Sequence, residues 1–143
     1  MPEEKIMLTT SQSSRRVLVA DDDPVIRRLV TSALQREGLV AVIANDGREA
    51  YRILKSDGNF SAAVFDMMIP HLKGIDIIRY MRTEKRLMRI PIVMISAEHD
   101  IKLMASSFAA GASAFLAKPF TPEQIRNTLR MLVGNVKPAR QAA

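Results

Sequence analysis

Six polar side chains interrupt an otherwise apolar scaffold at places where chemistry can be done. Asp21, Asp22 and Asp23 follow the run VLVA (17–20), Asp66 follows AAVF (62–65), Ser96 follows IVMI (92–95) and Lys118 follows SAFLA (113–117). Carboxylates gathered at one place repel one another, so such a set needs a cation to be stable and useful. Magnesium suits it, being a hard ion that prefers oxygen, keeps several waters and takes one or two carboxylates together with phosphate oxygens. A lysine and a serine converging on the same place complete a set for handling phosphoryl groups, the ammonium as a point charge and the hydroxyl as a hydrogen-bond donor. A carboxylate between them can act as a nucleophile and carry the group as an aspartyl phosphate, because phosphoryl transfer depends mainly on positioning and charge neutralisation.

The elements that must position these groups are legible in the apolar pattern. Five short apolar runs, the four above and LVAVI (39–43), suit strands covered on both faces. Between them lie stripes at helical spacing: Val25, Ile26, Leu29, Val30, Ala33 and Leu34; Ala50, Ile53 and Leu54; Ile75, Ile78 and Met81; Ile101, Met104 and Phe108; Ile125, Leu129 and Leu132. Gly38 stops the first of these at the expected C′ position, and Thr121 before Pro122 and Glu123 opens the last. Five strand and helix alternations with right-handed crossovers predict an α/β fold, a doubly wound five-stranded parallel sheet with five helices. All the polar residues above then sit at carboxyl ends of strands. If the strands follow the flavodoxin-like order 2-1-3-4-5, the ligand crevice opens between strands 1 and 3, which brings Asp21 and Asp22 beside Asp66.

Composition agrees with one globular domain: 143 residues, 48% hydrophobic and 25% charged. The reading divides the chain into a flexible leader over 1–14, a domain over 15–134 and a flexible tail over 135–143. The absence of cysteine removes disulfide frameworks, thiolate metal sites and cysteine nucleophiles, and it suits a reducing cytoplasm. The N-terminus has acids at Glu3 and Glu4 and no long apolar run, so it does not read as a signal peptide, and nothing elsewhere reaches the length of a membrane span. A net charge of +6 raises the question of nucleic acid. Aromatics that could stack bases are few along the basic run Arg79, Arg82, Lys85, Arg86 and Arg89, where Tyr80 stands alone, so a solvated helix end is the better reading and no direct nucleic-acid contact is expected.

The segments VLVADDDPVIRRLV, VFDMMIPHLKGID, IVMISA and FLAKPF, in this order and at these separations, resemble the receiver domain of bacterial two-component response regulators. The resemblance spans about residues 15–134. It implies Asp66 as phosphoacceptor, with Asp22 a direct magnesium ligand, Asp21 binding the ion largely through water, and the backbone carbonyl of Met68 as a further ligand. It implies Ser96 and Phe115 as the switch pair, Lys118 as the phosphate-contacting lysine, and a cis bond between Lys118 and Pro119. The implied donor is a sensor histidine kinase or a histidine phosphotransfer protein, docking beside helix 1 near Val25 and Arg28. The implied output is a downstream protein, or a second copy of the chain, at the face of helix 4, strand 5 and helix 5, which includes Lys102, Ser106, Phe115, Gln124 and Arg126. Departures are modest: Ser for the commoner Thr at 96 and Phe for the commoner Tyr at 115. Met68 and Glu98 fall near the path of hydrolytic water in the family, and an apolar Met68 predicts slow self-dephosphorylation.

Plainer readings stand beside these. Acids before Pro24 also make a helix N-cap, the expected role of Asp23. His71 and His99 read as exposed loop residues without a role, and most of the nine methionines as core filler. A phosphatase of the haloacid dehalogenase type would use Asp21 and Asp23 ahead of Val25, but that family needs an acidic pair after its lysine, and the only acid beyond Lys118 is Glu123. It also leaves Asp66 unexplained. The alternative in context is that the chain is the receiver fragment of a larger regulator.

Overall fold

The computed structural model describes residues 15–69, 71–97 and 101–134. The leader, the tail, Glu98 and His99 lie outside the described residues. Five parallel strands, β1 (Arg16–Ala20), β2 (Val40–Ala44), β3 (Ala62–Asp66), β4 (Ile92–Ser96) and β5 (Ala114–Ala117), form one sheet in the order β2-β1-β3-β4-β5. They alternate with α1 (Pro24–Arg36), α2 (Gly47–Ser56), α3 (Gly74–Thr83), α4 (Ile101–Ala110) and α5 (Pro122–Val133). The doubly wound arrangement read from the apolar pattern is the one observed.

Strand alternation divides the core into two layers. Leu18, Ala20, Ala63, Phe65 and Met94 face one side of the sheet, where Leu54 of α2 and Ile77, Ile78 and Met81 of α3 cover them. Val17, Val19, Val64, Val93 and Ile95 face the other, under Val30 and Leu34 of α1 and Ile125 and Leu129 of α5. Both faces being covered is why β3 and β4 are buried along their whole length, whereas the edge strands β2 and β5 are half-exposed.

Local chemistry sets the helix ends. The Asp23 carboxylate accepts from the amide of Val25, and Pro24 occupies the first turn. At the other end Gly38, at φ 76°, donates to Gln35 O while Leu39 donates to Leu34 O, the paired bonds of a Schellman motif. Thr121 and Gln124 complete a reciprocal capping box at the start of α5. The guanidinium of Arg82 ties the end of α3 to the segments entering β4 and β5, donating to Met88 O, Ile90 O and Gly111 O at 2.7–3.1 Å.

One stripe is oriented otherwise than its spacing suggests. Ile101, Met104 and Phe108 do not form the buried face of α4: Ile101 is 75% and Phe108 45% exposed, and Ser107 is the buried residue. Ser107 is accommodated because its hydroxyl donates to Leu103 O one turn back, so a polar side chain meets the sheet with its hydrogen bond satisfied. Among the described residues no helix is long and apolar enough to cross a membrane.

Candidate functional site

Each residue of the polar set stands at a strand end because the apolar run preceding it is consumed by the sheet. Asp21 is the first residue beyond β1, Asp66 and Ser96 are the last of β3 and β4, and Lys118 follows β5. Parallel pairing holds β3 beside both β1 and β4, with Ala20 opposite Phe65 and Asp66 opposite Ile95. These registers bring the strand ends to one edge. Gly74 closes the approach from α3: a Cβ there would lie 2.7 Å from the Asp66 carbonyl oxygen, so only glycine lets the helix start this close to β3.

Oxygen atoms of Asp21, Asp22 and Asp66 all lie within 4.8 Å of one another. Asp21 and Asp66 are buried, and Asp22 is exposed. The Lys118 ammonium reaches between the two buried carboxylates, donating to Asp66 Oδ2 at 2.9 Å and lying 3.4 Å from Asp21 Oδ2. The second approach brings opposite charges together without hydrogen-bond alignment, and buried Asp21 Oδ2 has no hydrogen-bond partner among the described residues. Asp21 Oδ1 accepts from the Asp23 amide at 2.9 Å, and Asp66 Oδ1 from the Met68 amide at 3.1 Å.

Burial pushes the Asp21 carboxyl up to about 6, helped by the Asp66 charge and opposed by the Asp23 amide and Lys118. For Lys118 burial works against the charged form but is outweighed by the hydrogen bond to Asp66 and the charges of Asp21 and Asp66, which hold its ammonium above the usual lysine range. Three carboxylates against one ammonium leave two negative charges uncompensated at this edge. The donor set is all oxygen, and the orphaned Asp21 Oδ2 keeps its lone pairs available to a ligand, so the cluster fits a hard divalent cation.

The remaining residues of the set are near by. Ser96 is fully buried, and its carbonyl accepts from the Lys118 amide at 2.8 Å. Phe115, opposite Met94 in β5, is half-buried against the core layer on the α2–α3 side. The Met68 side chain is 63% exposed, and the Lys118–Pro119 bond is cis. Asp23, committed to the cap of α1, does not join the cluster. His71 is exposed at φ 75°, with Nε2 3.8 Å from Asp46 Oδ2. Sequence reasoning misses Gly74, whose only signal is that a single glycine stands between Asp66 and the next apolar stripe.

Comparison with known proteins sets this geometry in context. Residues 17–130 match the family model described as response regulator receiver domain. The chemotaxis protein CheY1 of Helicobacter pylori is 30% identical over 120 residues, covering 83% of this chain and 97% of that one. The transcriptional regulatory protein SrrA of Staphylococcus aureus is 32% identical over 112 residues, covering 78% of this chain but 45% of its own length. Among solved structures, the chemotaxis response regulator CheY4 of Vibrio cholerae superposes with a TM-score of 0.76 at 31% identity, covering 82% of this chain and 97% of that one.

Proposed function

Since the chain belongs to the response regulator receiver domain family of two-component signalling, whose members are signalling domains rather than classical enzymes, we propose that it takes a phosphoryl group onto Asp66 from a phosphohistidine donor. The observation that carries this reading is the Asp66 carboxylate itself: buried at a strand end, fixed on one oxygen by the Met68 amide and on the other by the Lys118 ammonium, beside two further acids.

In the transfer an Asp66 oxygen attacks phosphorus, the bond from phosphorus to the donor imidazole nitrogen breaks, and that nitrogen keeps the electron pair and takes a proton. Asp66 becomes an acyl phosphate carrying about −1.5 to −2 charge where the carboxylate carried a single one, so a site already surplus in acids gains up to about one further negative charge. Lys118 moves from a carboxylate oxygen to the phosphoryl oxygens with little displacement, and the Ser96 hydroxyl donates to another. Asp21, Asp22, Asp66 and the Met68 carbonyl would hold a magnesium ion, which supplies charge neutralisation for the phosphoryl oxygens when bound.

Movement of Ser96 toward the phosphoryl group opens room for Phe115 to turn inward, which alters the surface of α4, β5 and α5. That is a two-state element biased by local charge. A downstream protein, or a second copy of the chain, reads that face, while a sensor histidine kinase or histidine phosphotransfer protein docks near Val25 and Arg28 of α1. A cytoplasmic place of action follows from this reading. The domain over 15–134 is taken as the unit that carries it.

The test is intact mass after incubation with acetyl phosphate, with and without magnesium, on the chain and on Asp66→Asn. A magnesium-dependent phosphoryl adduct that Asp66→Asn lacks is the expected result. An adduct that persists in Asp66→Asn would overturn the assignment and point to Asp21.

A further inference from the structure

The chain's surplus of six positive charges is not spread evenly. At the sheet edge opposite the Asp cluster, the start of β1, the end of α2 with its following loop, and the turn after α3 meet. Arg16 donates to Asn59 O, Ser61 donates to Arg16 O, and Arg86 donates to Leu54 O and Lys55 O at 2.9 and 3.1 Å. These contacts make one continuous surface from segments that carry Arg15, Arg16, Lys55, Lys85, Arg86 and Arg89 against Asp57 and Glu84.

Of the two acids Asp57 is spent, held by Arg16 at 2.8 Å and by the Asn59 amide, which leaves Glu84, half-buried at the end of α3, against the remaining cations. Lys85 and Arg89 are exposed and have no ion-pair partner among the described residues. Met88, between them, is 47% exposed. The turn is not loose: Arg82 clamps the carbonyls of Met88 and Ile90 from beneath, and Arg86 is fixed across the end of α2. The edge therefore presents cations on a fixed backbone frame around one apolar side chain.

We propose that this edge is a docking surface for an acidic polypeptide segment with interspersed apolar residues, used whether or not the Asp cluster is modified. Three features favour a polypeptide. Arginine forks with donors left over, as in Arg86, match carboxylates in fixed geometry. Exposed Met88 offers an adaptable apolar contact inside the cationic rim. The turn carries no aromatic side chain, and the rings at this edge, Phe60 and Tyr51, are already covered by Arg16 and Lys55 at 4.7 and 5.5 Å rather than open to bases. Lying on the opposite edge of the sheet, the surface leaves the Asp cluster uncovered, so a bound segment would tether the domain without blocking phosphoryl transfer.

The test uses the full chain and a fluorescein-labelled peptide of alternating Glu and Leu, read by anisotropy in 150 mM salt, with anionic phosphatidylglycerol vesicles and a DNA duplex as rival ligands. Charge reversal by Lys85→Glu with Arg89→Glu should weaken peptide binding by about tenfold or more. The control pair Arg48→Glu with Lys73→Glu, also exposed but elsewhere, should change it less than about twofold. Asp66→Asn should bind as the unaltered chain does, which separates this surface from the phosphoacceptor reading. Equal loss in both charge-reversal pairs would reduce the effect to net charge and overturn the proposal. So would absence of peptide binding, or vesicles or duplex binding more tightly than peptide and losing affinity in the Lys85 and Arg89 variant. Unchanged urea midpoints confirm that the reversals leave the fold intact.

Discussion

Replacing Asp21 by Asn should stabilise the domain at neutral pH, although it removes a buried ion-pair partner. The Asp21 carboxyl is raised from 3.8 to about 6, first by burial and then by the charge of Asp66. A carboxyl raised on folding binds its proton more tightly in the folded state, so its ionised form costs stability: nothing well below pH 3.8, more as the pH rises, and a full cost once the pH passes about 6. Each tenfold gain in proton affinity on folding is worth about 1.4 kcal/mol, so at pH 7 the cost is about 3 kcal/mol, and at pH 5 about half that. Asn keeps an oxygen for the Asp23 amide and leaves Lys118 its closer partner Asp66, and the attraction lost across 3.4 Å is already netted in that cost, so what it forfeits is only the fit of the neutral carboxyl. The net gain expected at pH 7 is therefore about 1–3 kcal/mol, a rise in melting temperature of about 3–10 °C for a domain of this size. Urea unfolding in a chelating buffer at pH 7 and pH 5 measures it, with a clearly smaller gain at the lower pH. A variant less stable than the original at pH 7, or a gain independent of pH, would refute the argument that an unneutralised charge at Asp21 is the source. Magnesium should stabilise the original chain by mass action and Asp21→Asn much less.

Other consequences are open to simple measurement. Arg82→Met strands the carbonyls of Ile90 and Gly111 in partly buried surroundings and releases the exposed one of Met88 to water, and a loss of about 2–4 kcal/mol in urea is expected. Gly74→Ala drives a Cβ against the Asp66 carbonyl, so the domain should lose about 1–3 kcal/mol and take up phosphoryl groups from acetyl phosphate more slowly. Met68→Asn replaces an exposed apolar side chain next to Asp66 by one that can orient water; the phosphoryl group should then decay faster, and a lifetime of seconds in the unaltered chain would contradict the assigned role. Asp57 is lowered from its ordinary value: burial opposes this, but the Asn59 amide and Arg16 prevail. Its contribution is present above the unfolded value near 3.8 and disappears as the pH falls through the lower folded value, so Asp57→Asn should cost stability at pH 7 and cease to matter in strong acid.

The amino-acid pattern alone specifies the sheet and most of its helices, because those signals are local. An apolar run of four or five residues has no soluble alternative but burial on both faces, and Asp23, Gly38 and Thr121 set helix ends through hydrogen bonds to backbone only a few residues away. It also determined which polar residues would stand at strand ends, since the side chain after each apolar run is the first one free of the sheet. What it could not determine depends on packing between segments far apart in the chain. The spacing of α4 put Ile101 and Phe108 inward, whereas contact with its neighbours selected the Leu103 and Ser107 side, because a serine that bonds its own helix costs little to bury. The distances among Asp21, Asp66 and Lys118 follow from strand order and register, and with them the raised carboxyl of Asp21. That charges separated by 45 and 52 positions share one buried edge, and that the cations of three other segments gather on the opposite one, follows from how the strands are ordered and paired.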